Sequence, residues 1–171
     1  MAIRRSFIDR LDELSIPLVV LMRVFLGGYF IYTGYGKVLD PVTFLKGVRL
    51  YQVLPETPAI FLNSTAVILP WLEMVCGVAL CLGLFRRGAG TLIALMLCVF
   101  TPAIFLRGLG IMEEEGISFF SVAFDCGCGT GREITWIKLC KNSGLLALAL
   151  ATVLSRSDRF CLAKLFSRRE T

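Results

Sequence analysis

The chain has 171 residues, 56% of them hydrophobic before its 16 Gly are counted, and only 18% charged. That charged share lies below the roughly 25% of soluble domains, and the apolar residues fall in long blocks; disorder, collagen and coiled coil are excluded and a water-soluble enzyme is disfavoured. There is no His, which excludes His-ligated haem, zinc or copper and His-based triads, and the net charge of +5 is spread over several loops, a pattern that suits anionic lipid headgroups better than nucleic acid.

Residues 1–15 are polar and of mixed charge, and residues 16–35 then form an apolar segment interrupted only by Arg23. A signal peptide has a shorter apolar run, about 7–15 residues, and then a small-residue cleavage site. Residues 16–35 therefore read as a retained transmembrane helix. Asp40-Pro41 marks a second helix start, because Asp caps and Pro is tolerated at the first helical position. Phe44, Leu45, Val48 and Tyr51 follow at helical spacing, with Lys46, Arg49 and Gln52 elsewhere. This predicts a short outer amphipathic helix, lying on the membrane surface or packed on the bundle.

The second span runs over 58–85 and contains Pro70 and Glu73; the third runs over 88–106 without a charge. Residues 107–133 read as an outer loop. It holds Glu113-Glu114-Glu115, an apolar stretch Ile117–Phe124 too short to span, and then Asp125-Cys-Gly-Cys-Gly-Thr-Gly131. The apolar stretch is expected to dip into the interface or to cover the mouth of the bundle. The fourth span needs about 20 residues, which the run 144–154 does not supply. It extends back to 134–154, with Lys138 and Lys141 snorkelling to the interface.

Orientation follows from the basic residues. With the N-terminus inside, the inner segments carry ten, among them Arg86, Arg87 and the tail from Arg156 to Arg169; the outer ones carry seven, in longer loops. Both termini are expected in the cytoplasm. No internal repeat is present, which disfavours a small-solute transporter.

Three groups of residues could carry chemistry. Cys126-Gly127-Cys128 is the sharpest. Of the seven Cys, the topology sends Cys126, Cys128 and Cys140 outward, and Cys76, Cys81, Cys98 and Cys161 to the inner half or the cytoplasm. The outer face is where disulfides persist. A Cys-x-Cys ring is small and strained, and strained disulfides are the exchanging ones. Thiol–disulfide exchange is the leading reading; a static disulfide to Cys140 and soft-metal binding by thiolates remain open. Asp125 disfavours a thiolate at Cys126, and Arg132 lies beyond Cys128, so Cys128 is expected to attack and Cys126 to resolve.

Arg23 and Glu73 are charges inside predicted spans, and such charges mark function or a specific internal contact. At 1.5 Å per residue they sit roughly 10 Å and 16 Å from the inner ends of their helices. A buried Arg23–Glu73 ion pair is expected, either locking helix register or lining a headgroup pocket. Cys76 and Cys81 point apart on one helix and read as packing residues. Lys37 reads as an interface anchor, with an auxiliary role open.

Arg23, the Gly34–Lys37–Asp40 spacing, Phe44, Pro70, Glu73, Gly77 and Gly83 resemble the DoxX-like superfamily of small four-helix membrane proteins. The outer loop "DCGCGTG…KLCKN" resembles the MauE branch, which is linked to methylamine utilisation and to redox maturation of periplasmic proteins. There the Cys-x-Cys is usually followed by Phe-Gly, and an Arg-Asn pair precedes the last helix; here Gly129 and Lys141-Asn142 stand at those places. The resemblance implies a four-helix bundle in a bacterial inner membrane. Relatives are proposed to serve disulfide formation, electron transfer to quinone, or assembly of a partner enzyme.

The sequence therefore predicts one all-α membrane domain over residues 1–171: a four-helix bundle with a short outer amphipathic helix and a Cys-containing outer loop. Its expected activity is thiol–disulfide exchange through Cys126 and Cys128 with an extracytoplasmic partner protein, with quinone as electron acceptor. The alternative is a non-catalytic accessory or assembly factor.

Overall fold

The computed structural model describes residues 2–51, 59–125 and 131–155, with residues 2–17 and 125 described by their backbone alone. Five helices make up most of it: α1 (Ala2–Leu39), α2 (Pro41–Leu50), α3 (Ile60–Leu82), α4 (Arg86–Glu115) and α5 (Thr135–Leu154). Leu18–Leu39 of α1, and α3, α4 and α5 whole, are long and apolar enough to cross a membrane. The expected all-α bundle of four apolar helices is what the chain forms.

α1 packs against α3 and α5, and α4 against α5 and α3, which closes a square. Leu26, Phe30, Cys76, Leu80, Ile93, Leu97, Leu145 and Ala149 fill its centre. The opposite faces carry exposed Leu21, Val75, Val99 and Leu150. A surface so apolar is an aggregation liability in water and an ordinary surface in hydrocarbon, where helices associate by close packing. α1 and α3 show that packing at Gly27 and Gly77. A Cβ on Gly27 would lie 2.6 Å from the Gly77 carbonyl oxygen, and one on Gly77 would lie 2.7 Å from that of Gly27.

α2 starts as its sequence requires. Asp40 caps it by accepting a hydrogen bond from the Thr43 backbone N–H at 3.0 Å, with Pro41 in the first turn. Hydrogen bonds from the Thr43 side chain and from this backbone N–H hold the Asp40 carboxyl below its ordinary range. Phe44 and Val48 then pack on Leu62 and Ala66 of α3. Of the two expectations for this helix, contact with the bundle is met.

α3 ends at Gly83, whose φ of 71° is left-handed. The Leu84 N–H closes the turn on the Ala79 carbonyl at 2.8 Å, as in a Schellman motif. Arg86 corrects the picture of this turn as a merely basic one: it is buried. Its guanidinium donates to the Thr152 carbonyl at 3.1 Å, the Ser155 hydroxyl at 2.6 Å and the Ser155 carbonyl at 2.8 Å. It thus caps the end of α5, whose last carbonyls have no partner within the helix. Arg87, by contrast, is exposed. Hydrogen bonds to a charged group contribute about 1.5–3 kcal/mol, so Arg86→Met is expected to lower the stability of the fold by that much, read from the thermal midpoint in detergent. Arg87→Met should leave it within ~0.5 kcal/mol of the parent. Equal midpoints for the two variants would show that the clamp carries no stability.

α4 runs to Glu115, so residues 107–115 are helix where the sequence predicts loop. Nothing breaks the helix before Gly116, at φ 64°, and Arg107 pairs with Glu114 two turns on at 3.1 Å. At 30 residues α4 spans about 45 Å against a hydrocarbon core of about 30 Å, so one end projects.

Beyond α4 come a 3-10 turn, Phe119–Ser121, and an unpredicted antiparallel hairpin, β1 (Ala123–Asp125) with β2 (Arg132–Ile134). Ile117–Phe124 covers the bundle. Val122 is fully buried, and Phe124 meets Tyr51 edge-to-face at 6.1 Å between centroids.

Candidate functional site

Two arrangements at the hairpin half of the bundle concern function. The first is the mount of the cysteine segment. β1 and β2 pair at Ala123–Ile134, Phe124–Glu133 and Asp125–Arg132. The Val122 carbonyl accepts from the Thr135 backbone N–H at 2.9 Å and from its hydroxyl at 3.0 Å. Thr135 is buried against Gly108 of α4, where a Cβ would lie 2.7 Å from the Thr135 methyl. Arg132 donates to the Ala123 carbonyl at 3.2 Å, and Lys141 bonds Glu133 at 2.7 Å. Both arms of the hairpin are therefore tied to α4 and α5. Cys126 and Cys128, the residues expected to carry exchange, lie outside the described residues.

Cys140 is a free, exposed cysteine on α5, and Cys76, Cys81 and Cys98 are free as well. Cys76 is core; Cys81 lies against Gly27. Lys138, expected to snorkel, is buried, and of the two lysines only Lys141 reaches the surface. Among the described residues no group of His, Cys, Asp and Glu is placed to hold a metal.

The second arrangement is a buried ion pair, and here the sequence reading is corrected. Glu73 is paired with Lys37, not with Arg23: the Lys37 ammonium donates to both carboxylate oxygens at 2.6 Å, with side-chain exposures of 5% and 3%. Arg23 lies fourteen residues earlier on α1, about 21 Å along the axis. The register explains it. Gly27 faces Gly77 and Cys81, and Gly34 faces Pro70 and Glu73, so Arg23 sits near the far end of α3. The long segment between α1 and α3 contains a helix of its own, so turns cannot be counted across it. Lys37, taken for an interface anchor, is the missed partner. Its position one turn beyond Gly34 was the available signal.

α2 roofs the pair. Lys37 Nζ lies 5.1 Å from the centre of the Phe44 ring, a distance at which ring and cation attract. Beside the pair is a pocket of about 50 Å³ bordered by Thr33, Asn142, Phe100 and Met96. A water needs ~10–15 Å³ and several polar partners, so this pocket admits a few waters.

The family model of the methylamine utilisation protein MauE matches residues 15–155. None of the curated proteins and none of the solved structures compared with the chain matches it.

Proposed function

Since the chain belongs to the MauE family and has four helices able to cross a membrane, we propose that it is a membrane-bound thiol–disulfide redox protein. A reduced dithiol of an extracytoplasmic protein attacks the Cys126–Cys128 disulfide; the partner leaves oxidised, and both thiols here are left reduced. Those thiols then lose two electrons and two protons to a membrane quinone, which becomes the quinol, and the disulfide re-forms. The observation that carries this reading is the mount. The only Cys-x-Cys of the chain joins two strands that are paired up to Asp125 and Arg132 and anchored through Thr135. The tied-down strands fix where the segment carrying this pair leaves the bundle and where it returns.

The same proposal includes the bacterial inner membrane, both termini in the cytoplasm and kinship with the wider DoxX-like proteins. It is supported by the basic inner segments and by Gly34, Lys37, Pro70, Glu73 and Gly77. The role in methylamine utilisation that the family's name states would make the partner an enzyme of that process.

The test is trapping. Cys126→Ser should accumulate mixed disulfides through Cys128, and Cys128→Ser should not. If the pair stays oxidised under mild thiol, and both variants keep full activity in cells, the redox reading is lost. The accessory-factor reading then stands.

A further inference from the structure

Beside the ion-pair pocket, and separated from it by Met96 and Phe100, lies a larger groove of about 360 Å³ between α2, α3 and α4. Val48 and Tyr51, Thr65 and Leu69, and Val99 and Ala103 line it. We infer that this groove is the binding site of the quinone, entered sideways from the bilayer. The inference deepens the proposed function and rests on it.

Size decides which space takes the ring. A cavity of about 150 Å³ holds a benzene ring. The ion-pair pocket, at about 50 Å³, is too small, and the groove, at about 360 Å³, holds a ring with the start of a prenyl chain. Charge decides the kind of ligand. Among the described lining residues only Tyr51 and Thr65 carry a polar group, and none is charged. A phospholipid headgroup or a fatty-acid carboxylate would be buried there without a counter-charge, which is costly; a neutral ring is not. Access comes from Leu95 and Val99, which line the groove and are 57% and 63% exposed on the lipid-facing side of α4.

Position supplies the link to the cysteines. Tyr51 lines the groove and also carries Phe124 edge-to-face, one residue before the last residue of β1. The upper end of the groove therefore adjoins the root of the hairpin whose connection bears Cys126 and Cys128.

The test uses the full-length protein in nanodiscs of phosphatidylethanolamine and phosphatidylglycerol, with an azido-benzoquinone carrying a short isoprenoid chain. After illumination, label is expected on the peptides around 48–51, 65–69 and 95–103, with unlabelled quinone in excess displacing it. Val99→Trp, at the lipid-facing rim, should cut this labelling at least tenfold. Val67→Trp, on an exposed face of α3 away from the groove, should not. Label spread evenly over the exposed helix faces, or unchanged in Val99→Trp, overturns the inference. So does a photoreactive phospholipid that marks the same peptides and resists excess quinone. The variant with both Cys126→Ser and Cys128→Ser should keep full labelling, because no cysteine is among the described residues that line the groove. A labelled groove with cysteines that do not cycle would sink the redox reading and leave the site.

Discussion

Glu73→Ala is expected to cost the folded protein about 3–5 kcal/mol, because it strands the Lys37 ammonium in the bundle core. The pair is 5% and 3% exposed, and both carboxylate oxygens accept from Nζ at 2.6 Å. Water replaces only part of what is lost, since the adjoining pocket of about 50 Å³ admits only a few waters. Lys37→Met should cost a similar amount, leaving a buried carboxylate. The double change Lys37→Met with Glu73→Leu should recover most of the loss, because replacing both members of a buried pair with apolar residues is close to neutral. The measurement is the thermal or denaturant midpoint in detergent across the four proteins of the cycle. Losses that simply add would mean that Lys37 and Glu73 act independently. A second cycle between Arg23 and Glu73 should be additive, because Glu73 lies level with Gly34, eleven residues and so about 16 Å along α1 from Arg23.

The parts of the structure that the sequence announces are those decided locally. Apolar length marks α3 and the membrane-crossing part of α4, the length a span needs extends α5 back to its start, and the Asp40-Pro41 signal starts α2 where the cap is found. The failures share a cause: each depends on which surface faces which. Arg86 looks like half of a basic turn, and its role appears only once α5 ends beside it. Lys37 looks like an interface anchor until α2 folds Phe44 over it. Lys138 is close to Lys141 in sequence, yet packing buries one and leaves the other in contact with Glu133. The extension of α4 through Glu115 was hidden by its charges and by Gly108 and Gly110, which stay helical; the chain leaves the helix only at Gly116, where φ turns positive. Strands of three residues fall below any periodic signal; β1 and β2 exist because Thr135 and Val122 tie them to helices already in place.

The close approach of α1 and α3 carries the second large effect. Gly27→Ala is expected to destabilise by about 1–3 kcal/mol. Its Cβ would lie 2.6 Å from the Gly77 carbonyl oxygen and 2.6 Å from the Cys81 sulfur. The sulfur can rotate away; the carbonyl belongs to the α3 backbone and cannot. Gly77→Ala meets the mirror image of the problem, at 2.7 Å from the Gly27 carbonyl and 2.9 Å from Ile31 Cγ1. Either change forces the helices apart, and a single separation accommodates both methyls. The double variant should therefore cost less than the sum of the single ones. Gly28 is the internal control. It is one residue along the same helix, and a Cβ there meets nothing within 4 Å. Gly28→Ala should be neutral or stabilising by up to ~1 kcal/mol, since Ala favours a helix interior over Gly. The displacement also reaches the ion pair. Gly34, two turns from Gly27, lies so close to α3 that a Cβ would sit 2.9 Å from the Pro70 carbonyl and 3.3 Å from Glu73 Cβ. Widening the crossing at Gly27 loosens that contact and with it the Lys37–Glu73 geometry, so Gly27→Ala and Glu73→Ala should be coupled rather than additive. Equal midpoints for Gly27→Ala and Gly28→Ala would refute the close-contact account and, with it, this coupling.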